Sequence, residues 1–149
     1  MRPTRWRDLA LLVLGCLPLG LLVGVVAYGD LPPLPYTFAA STLVLAVSEL
    51  FLAPSVRDRL DGLPRTKPIM PIVVARTAAF AKASSALGAL SAGFWLGLLG
   101  YLLPKIGDFE AAADDAIRAS VTVVAAGVLV VAALRLEKVC RKPEPPPET

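Results

Sequence analysis

The chain has 149 residues, and 56% are apolar before its 11 glycines are counted; soluble domains reach only about 45–50% with glycine included. It contains no histidine, asparagine or glutamine, which excludes a Ser-His-Asp triad, histidine-ligated zinc and N-glycosylation. The net charge of +3, from 15 basic and 12 acidic residues, sits in short blocks between long apolar runs; that pattern points away from a nucleic-acid partner, and the length allows one domain.

Leu9 to Tyr28 is an uncharged run of 20 residues, the length of helix that crosses roughly 30 Å of hydrocarbon. Pro18 removes one helical hydrogen bond within it. Arg2, Arg5 and Arg7 before an apolar stretch also fit a signal peptide, and Val13-Leu14-Gly15-Cys16 faintly resembles a lipoprotein cleavage box. The run continues well past Cys16, so an uncleaved span is the expectation. Cys16 lies inside this run and Cys140 in a basic tail, so no disulfide between them is expected.

The second span is short, about 36–52, and carries Thr37, Ser41, Thr42, Ser48 and Glu49. The third covers about 83–103, and its helix is expected to start earlier because neither Gly nor Pro lies between Ile72 and Lys82. The fourth covers about 119–134, between Arg118 and Arg135, and its helix should continue towards Cys140 with an i,i+4 pair of Glu137 and Arg141. None of these runs alternates with period two, which excludes barrel strands. The fold class is therefore all-α: an integral membrane bundle of four transmembrane helices in one domain, 1–141. The Pro-rich tail, 142–149, should be disordered.

Basic residues set the orientation. Thirteen of the fifteen lie before span one, between spans two and three, or in the tail; only Lys105 and Arg118 lie elsewhere. Both termini are thus expected to be cytoplasmic, in a bacterial inner membrane. Tyr28, Tyr36 and Tyr101 fall at the outer interface and Trp6 at the inner one. Asp108 is placed to cap the fourth helix, and the adjacent pair Asp114-Asp115 reads as a topology signal in its first turns. Pro54, Pro64, Pro68 and Pro71 should prevent a long helix between spans two and three. The basic residues of that connection are placed to touch anionic headgroups or a protein partner, or simply to enforce topology.

Two features bear on function. Ser85, Ala89, Gly93 and Gly97 recur every four residues, with Ser84, Gly88 and Ala92 in a second small row. Such rows let helices approach closely, either within one chain or against a second copy or another membrane protein. Glu49 is the only acid well inside a span, and Lys82 lies at a similar depth on the next helix. An intramembrane carboxyl is a functional candidate by default; an ion pair with Lys82, or a carboxyl that reaches the interface, is the structural alternative. No catalytic constellation, cofactor site or metal-ligand cluster is evident, so the chain is not expected to be an enzyme.

The run Met1-Arg-Pro-Thr-Arg-Trp-Arg-Asp-Leu, the turn Tyr28-Gly-Asp-Leu-Pro-Pro-Leu-Pro, Ala46-Val-Ser-Glu49-Leu and Ala75-Arg-Thr-Ala-Ala-Phe-Ala-Lys82-Ala-Ser-Ser together resemble one family. So do the small-residue third span and the run Ala-Ala-Asp114-Asp115. It is an actinobacterial family of small four-helix membrane proteins classed as a domain of unknown function and often encoded near folate-biosynthesis genes. The resemblance implies a fold and no site residues. The leading expectation is a structural or accessory membrane subunit acting through helix contacts in the bilayer. The alternative is a small oligomeric transporter or channel component that uses Glu49.

Overall fold

The computed structural model describes residues 4–30, 35–60, 70–107 and 110–141. Within them the chain forms four long helices, α1 (Trp6–Ala27), α2 (Thr37–Leu60), α3 (Pro71–Leu102) and α4 (Glu110–Cys140), with short 3₁₀ turns at Tyr28–Asp30 and Leu103–Lys105. All four are long and apolar enough to cross a membrane. The expected cap at Asp108 and the tail lie outside the described residues.

The spans fall where the uncharged runs place them, and the helices exceed them. α3 begins with Pro71 at its first position, where the missing N–H is one that a helix leaves unbonded anyway. α4 runs through to Cys140 and carries the expected pair of Arg141 with Glu137. The expected break near Pro54 is corrected: α2 continues through it to Leu60. A proline inside a helix removes only one hydrogen bond, and Ser55–Leu60 contains neither Gly nor Pro to end the helix. The Ser55 hydroxyl donates to the Phe51 carbonyl at 3.2 Å in that turn. Arg57 and Arg59 occupy the last turn, where the helix dipole favours cations.

The helices stand side by side in a definite lateral order. α1 packs on α3, α3 on α4 and α4 on α2, while α2 only brushes α3 and α1 meets neither α2 nor α4. The α3–α4 hairpin thus separates the two helices of the first hairpin. The two central helices have the smallest side chains at their contacts. On α4, Ala112, Ala116, Ala119, Ala125, Ala126, Ala132 and Ala133 are all buried. Paired alanines one residue apart let α4 receive α3 and α2 on adjoining faces, about 100° apart around the helix. Near one end, Trp95, Leu98 and Leu102 of α3 close over Ala112, Ala116 and Ala119.

Thr4 and Arg141, the first and last described residues, lie at one end of the bundle. The Thr4 N–H donates to Glu137 Oε1 at 3.0 Å, and Arg141 binds the same carboxylate. That buried carboxylate ties the start of the chain to the end of α4. The three tyrosines gather at the opposite, distal end, where the Tyr28 and Tyr101 rings meet edge to face at 5.8 Å. Trp6 stands exposed at the termini end.

Candidate functional site

The first candidate is the row Ser85, Ala89, Gly93 and Gly97, all buried. A Cβ at Gly93 would overlap the Val13 carbonyl of α1, and one at Gly97 would overlap the Leu17 carbonyl. The contact is reciprocal: a Cβ at Gly20 of α1 would strike the Phe94 carbonyl, and one at Gly24 the Tyr101 side chain. Two parallel helices therefore interlock, each through glycines four residues apart. The second row turns to the other neighbour, with Gly88 against Val130 and Ala126 of α4. The expected close helix contact is present, and its neighbour is the chain's own first helix. Sequence reasoning missed the Gly20–Gly24 half, although its spacing was the same as that of Gly93–Gly97.

The second candidate is Glu49. Along α2, Ala39, Ala46 and Ala53 alternate with Thr42, Glu49 and Val56 in a seven-residue repeat, a seam of positions that face neighbouring helices. Glu49 holds one of those seam positions and is only 1% exposed. Both its carboxyl oxygens are buried without a hydrogen-bond partner, although the buried Ser84 of α3 lies beside them. The expected ion pair with Lys82 is corrected. Ala81, Ser84 and Ser85 are the buried positions of that turn, and Lys82 sits on its exposed side. Depth brings the two residues level, but the helix rotation of about 100° per residue turns Lys82 away.

Two turns distal to Glu49, α2, α3 and α4 border an open groove of about 270 Å³. Ser41, Thr42 and Ser91 line it, beside Leu45, Leu87 and Leu129. The Ser41 and Thr42 hydroxyls both donate to the Phe38 carbonyl, at 3.1 and 2.7 Å. Their oxygens keep lone pairs that can accept.

A third assembly, at the distal end, was read from sequence only as a topology signal. Asp115 is buried and Asp114 exposed. The Tyr28 hydroxyl donates to Asp115 Oδ2 at 2.9 Å, and Arg118 lies 3.7 Å from its other oxygen. Arg118 in turn stacks over the Tyr36 ring at 4.9 Å, and Lys105 over Tyr101 at 4.7 Å. Asp115 thereby links the ends of α1, α2 and α4. Asp115→Ala is expected to lower stability by about 1–3 kcal/mol, because the Tyr28 hydroxyl loses its acceptor in a part-buried site. Asp114→Ala should leave the thermal midpoint unchanged. Unfolding in detergent measures both, and equal losses would mean that charge at the helix start matters and the clamp does not. Cys16 and Cys140 are both free thiols, as their separation predicts.

These features define an all-helical chain built as a multi-pass membrane protein: four apolar helices, a glycine seam, buried carboxylates tying both ends and a further carboxyl, Glu49, buried between them. The chain belongs to the family described as protein of unknown function (DUF3180), whose profile matches residues 9–144. No curated protein and no solved structure matches it.

Proposed function

We propose that the protein is a non-enzymatic accessory subunit of the bacterial inner membrane, with both termini cytoplasmic, that works through the outer surfaces of its helices. The orientation rests on charge. Arg5, Arg7, Arg57, Arg59, Arg76, Arg135, Lys138 and Arg141 lie towards the termini end, against Lys105 and Arg118 at the distal end. The observation that carries the accessory reading is the position of α1. It stands outermost, packed along its length on α3 and joined to α4 only by the polar ties at its two ends, and of its 22 residues only Leu9, Gly20 and Gly24 are buried. On its outer side Leu11, Leu14, Leu22, Val25 and Val26 are exposed, an apolar surface for lipid or for another membrane protein.

Affinity purification of the full chain from native membranes tests this reading. One membrane protein should co-purify in fixed ratio and be lost when Leu14 and Leu22 are both replaced by tryptophan. A chain that purifies alone under mild detergent would refute it. A second reading, a small oligomeric transporter or channel component, is favoured by Glu49. A buried carboxyl outside any ion pair, with a hydroxyl-lined groove two turns away on the same helix, has the chemistry to exchange a proton or meet a small cation.

A further inference from the structure

Between α2 and α4, at the end that holds Thr4 and Arg141, lies an open cleft of about 510 Å³. Arg57 of α2 and Arg135 and Lys138 of α4 supply three cations. Leu50, Pro54 and Val139 supply an apolar wall, and among the described residues no acid lines the cleft. Glu137, next to Lys138 in sequence, is buried and engaged instead with Thr4 and Arg141. The cations stand at the border between the apolar and charged parts of both helices, immediately after Leu134 on α4 and near the end of α2. Leu50 lies two turns before Arg57, about 10 Å deeper along the helix.

That pairing of chemistries is selective. Arginine holds phosphate oxygens through two parallel N–H donors, and a lysine beside it adds a point charge. A free phosphate would use the charges and leave the wall bare. A zwitterionic lipid would use the wall, but its choline group would meet three cations. We propose that this cleft binds the phosphate headgroup of an anionic glycerophospholipid, with one acyl chain lying along Leu50 and Pro54. Basic pockets between membrane helices at headgroup level are suited to such lipids.

The test uses the full chain, purified in detergent and stripped of lipid, titrated with phosphatidylglycerol and followed by native mass spectrometry and thermal shift. Phosphatidylcholine and inorganic phosphate are the comparison probes. Phosphatidylglycerol should bind most tightly and raise the melting temperature. At roughly 1 kcal/mol for each basic residue near a headgroup, Arg57→Gln should weaken its binding about 5-fold and R135Q/K138Q about 25-fold. Arg135→Lys should weaken binding less than Arg135→Gln, because it keeps the charge and loses the paired donors. Arg7→Gln and Arg76→Gln, on α1 and α3 away from the cleft, should change it less than 2-fold. All these side chains are exposed, so the variants should fold, which the melting curve without lipid checks. The proposal is overturned if phosphatidylcholine binds as tightly, if inorganic phosphate alone reproduces the thermal shift, or if the Arg7 and Arg76 variants lose as much affinity as the cleft variants.

Discussion

Gly97→Leu is expected to destabilise the bundle by about 3 kcal/mol, the upper end of ordinary overpacking costs, with Gly93→Leu close behind. The reason lies in what the new side chain would strike. At Gly93 and Gly97 the nearest atoms are backbone carbonyls of α1, which no side-chain rotation can move aside. Even alanine is strained there, because the Cβ itself collides; α1 must shift outwards as a body. In lipid the approach of two helices is driven by close packing and not by withdrawal from water. A displacement of even one ångström therefore forfeits much of the contact. α1 is also tied at both ends, by Thr4 to Glu137 and by Tyr28 to Asp115, so it should bow away while remaining attached.

Two measurements check this expectation. The thermal midpoint in detergent should fall, and the half-buried Cys16 of α1 should react faster with a membrane-permeant maleimide. Gly15→Leu and Gly127→Leu provide the control, because a Cβ at either position meets nothing within 4 Å. Combining Gly20→Leu with Gly97→Leu should cost less than the two losses added, since both disrupt one seam. Stability equal to that of the Gly15 control would refute the seam.

The second large effect has the opposite sign. Glu49→Met is expected to stabilise the protein by about 1–3 kcal/mol, the cost of leaving a buried polar group unsatisfied. Methionine would forfeit only the approach of the Ser84 hydroxyl, which makes no well-formed hydrogen bond to the carboxyl, and the two side chains are similar in length. Exchanging a buried charged group for a well-packed apolar one is often neutral or favourable. Glu49→Lys should be strongly destabilising, because it buries an ammonium at the same seam position. If Glu49→Met instead lowered the melting temperature, the carboxyl would have a structural partner. A stabilised variant that lost a proton or cation flux in liposomes would assign the carboxyl to transport. A stabilised variant that retained its membrane partner, with no flux to lose, would favour the accessory reading.

Much of the chain was legible in advance. The four helices, the clustering of basic residues towards one end, the tyrosines at the other and the Glu137–Arg141 pair all follow from local composition. Uncharged runs of bilayer length must become helices, because lipid offers no partners for exposed backbone groups. Pro54 misled because its effect was read as a stop. Near the end of a helix, the loss of one hydrogen bond is tolerated when the following residues favour continuing.

Rotation about the helix axis was less legible. In a soluble bundle the polar face marks which side turns outwards, but these helices are apolar all round, so hydropathy marks no face. Asp114 and Asp115 are neighbours of one type, yet only Asp115 is buried and receives Tyr28. Glu49 and Lys82 share a depth, and yet they point to different sides.

Sequence alone thus established a four-span membrane chain and the depth of each polar group, since depth is a matter of distance along a helix. The lateral order, with α3 and α4 between α1 and α2, emerged only when the helices were assembled. So did the use of Gly93 and Gly97 on the chain's own α1, which engages that seam inside the molecule. The physical reason is that a row of small residues specifies close approach without naming a neighbour. Backbone contact with Val13, Leu17 and Gly20 supplies that neighbour, and the same assembly leaves Glu49 enclosed without a partner.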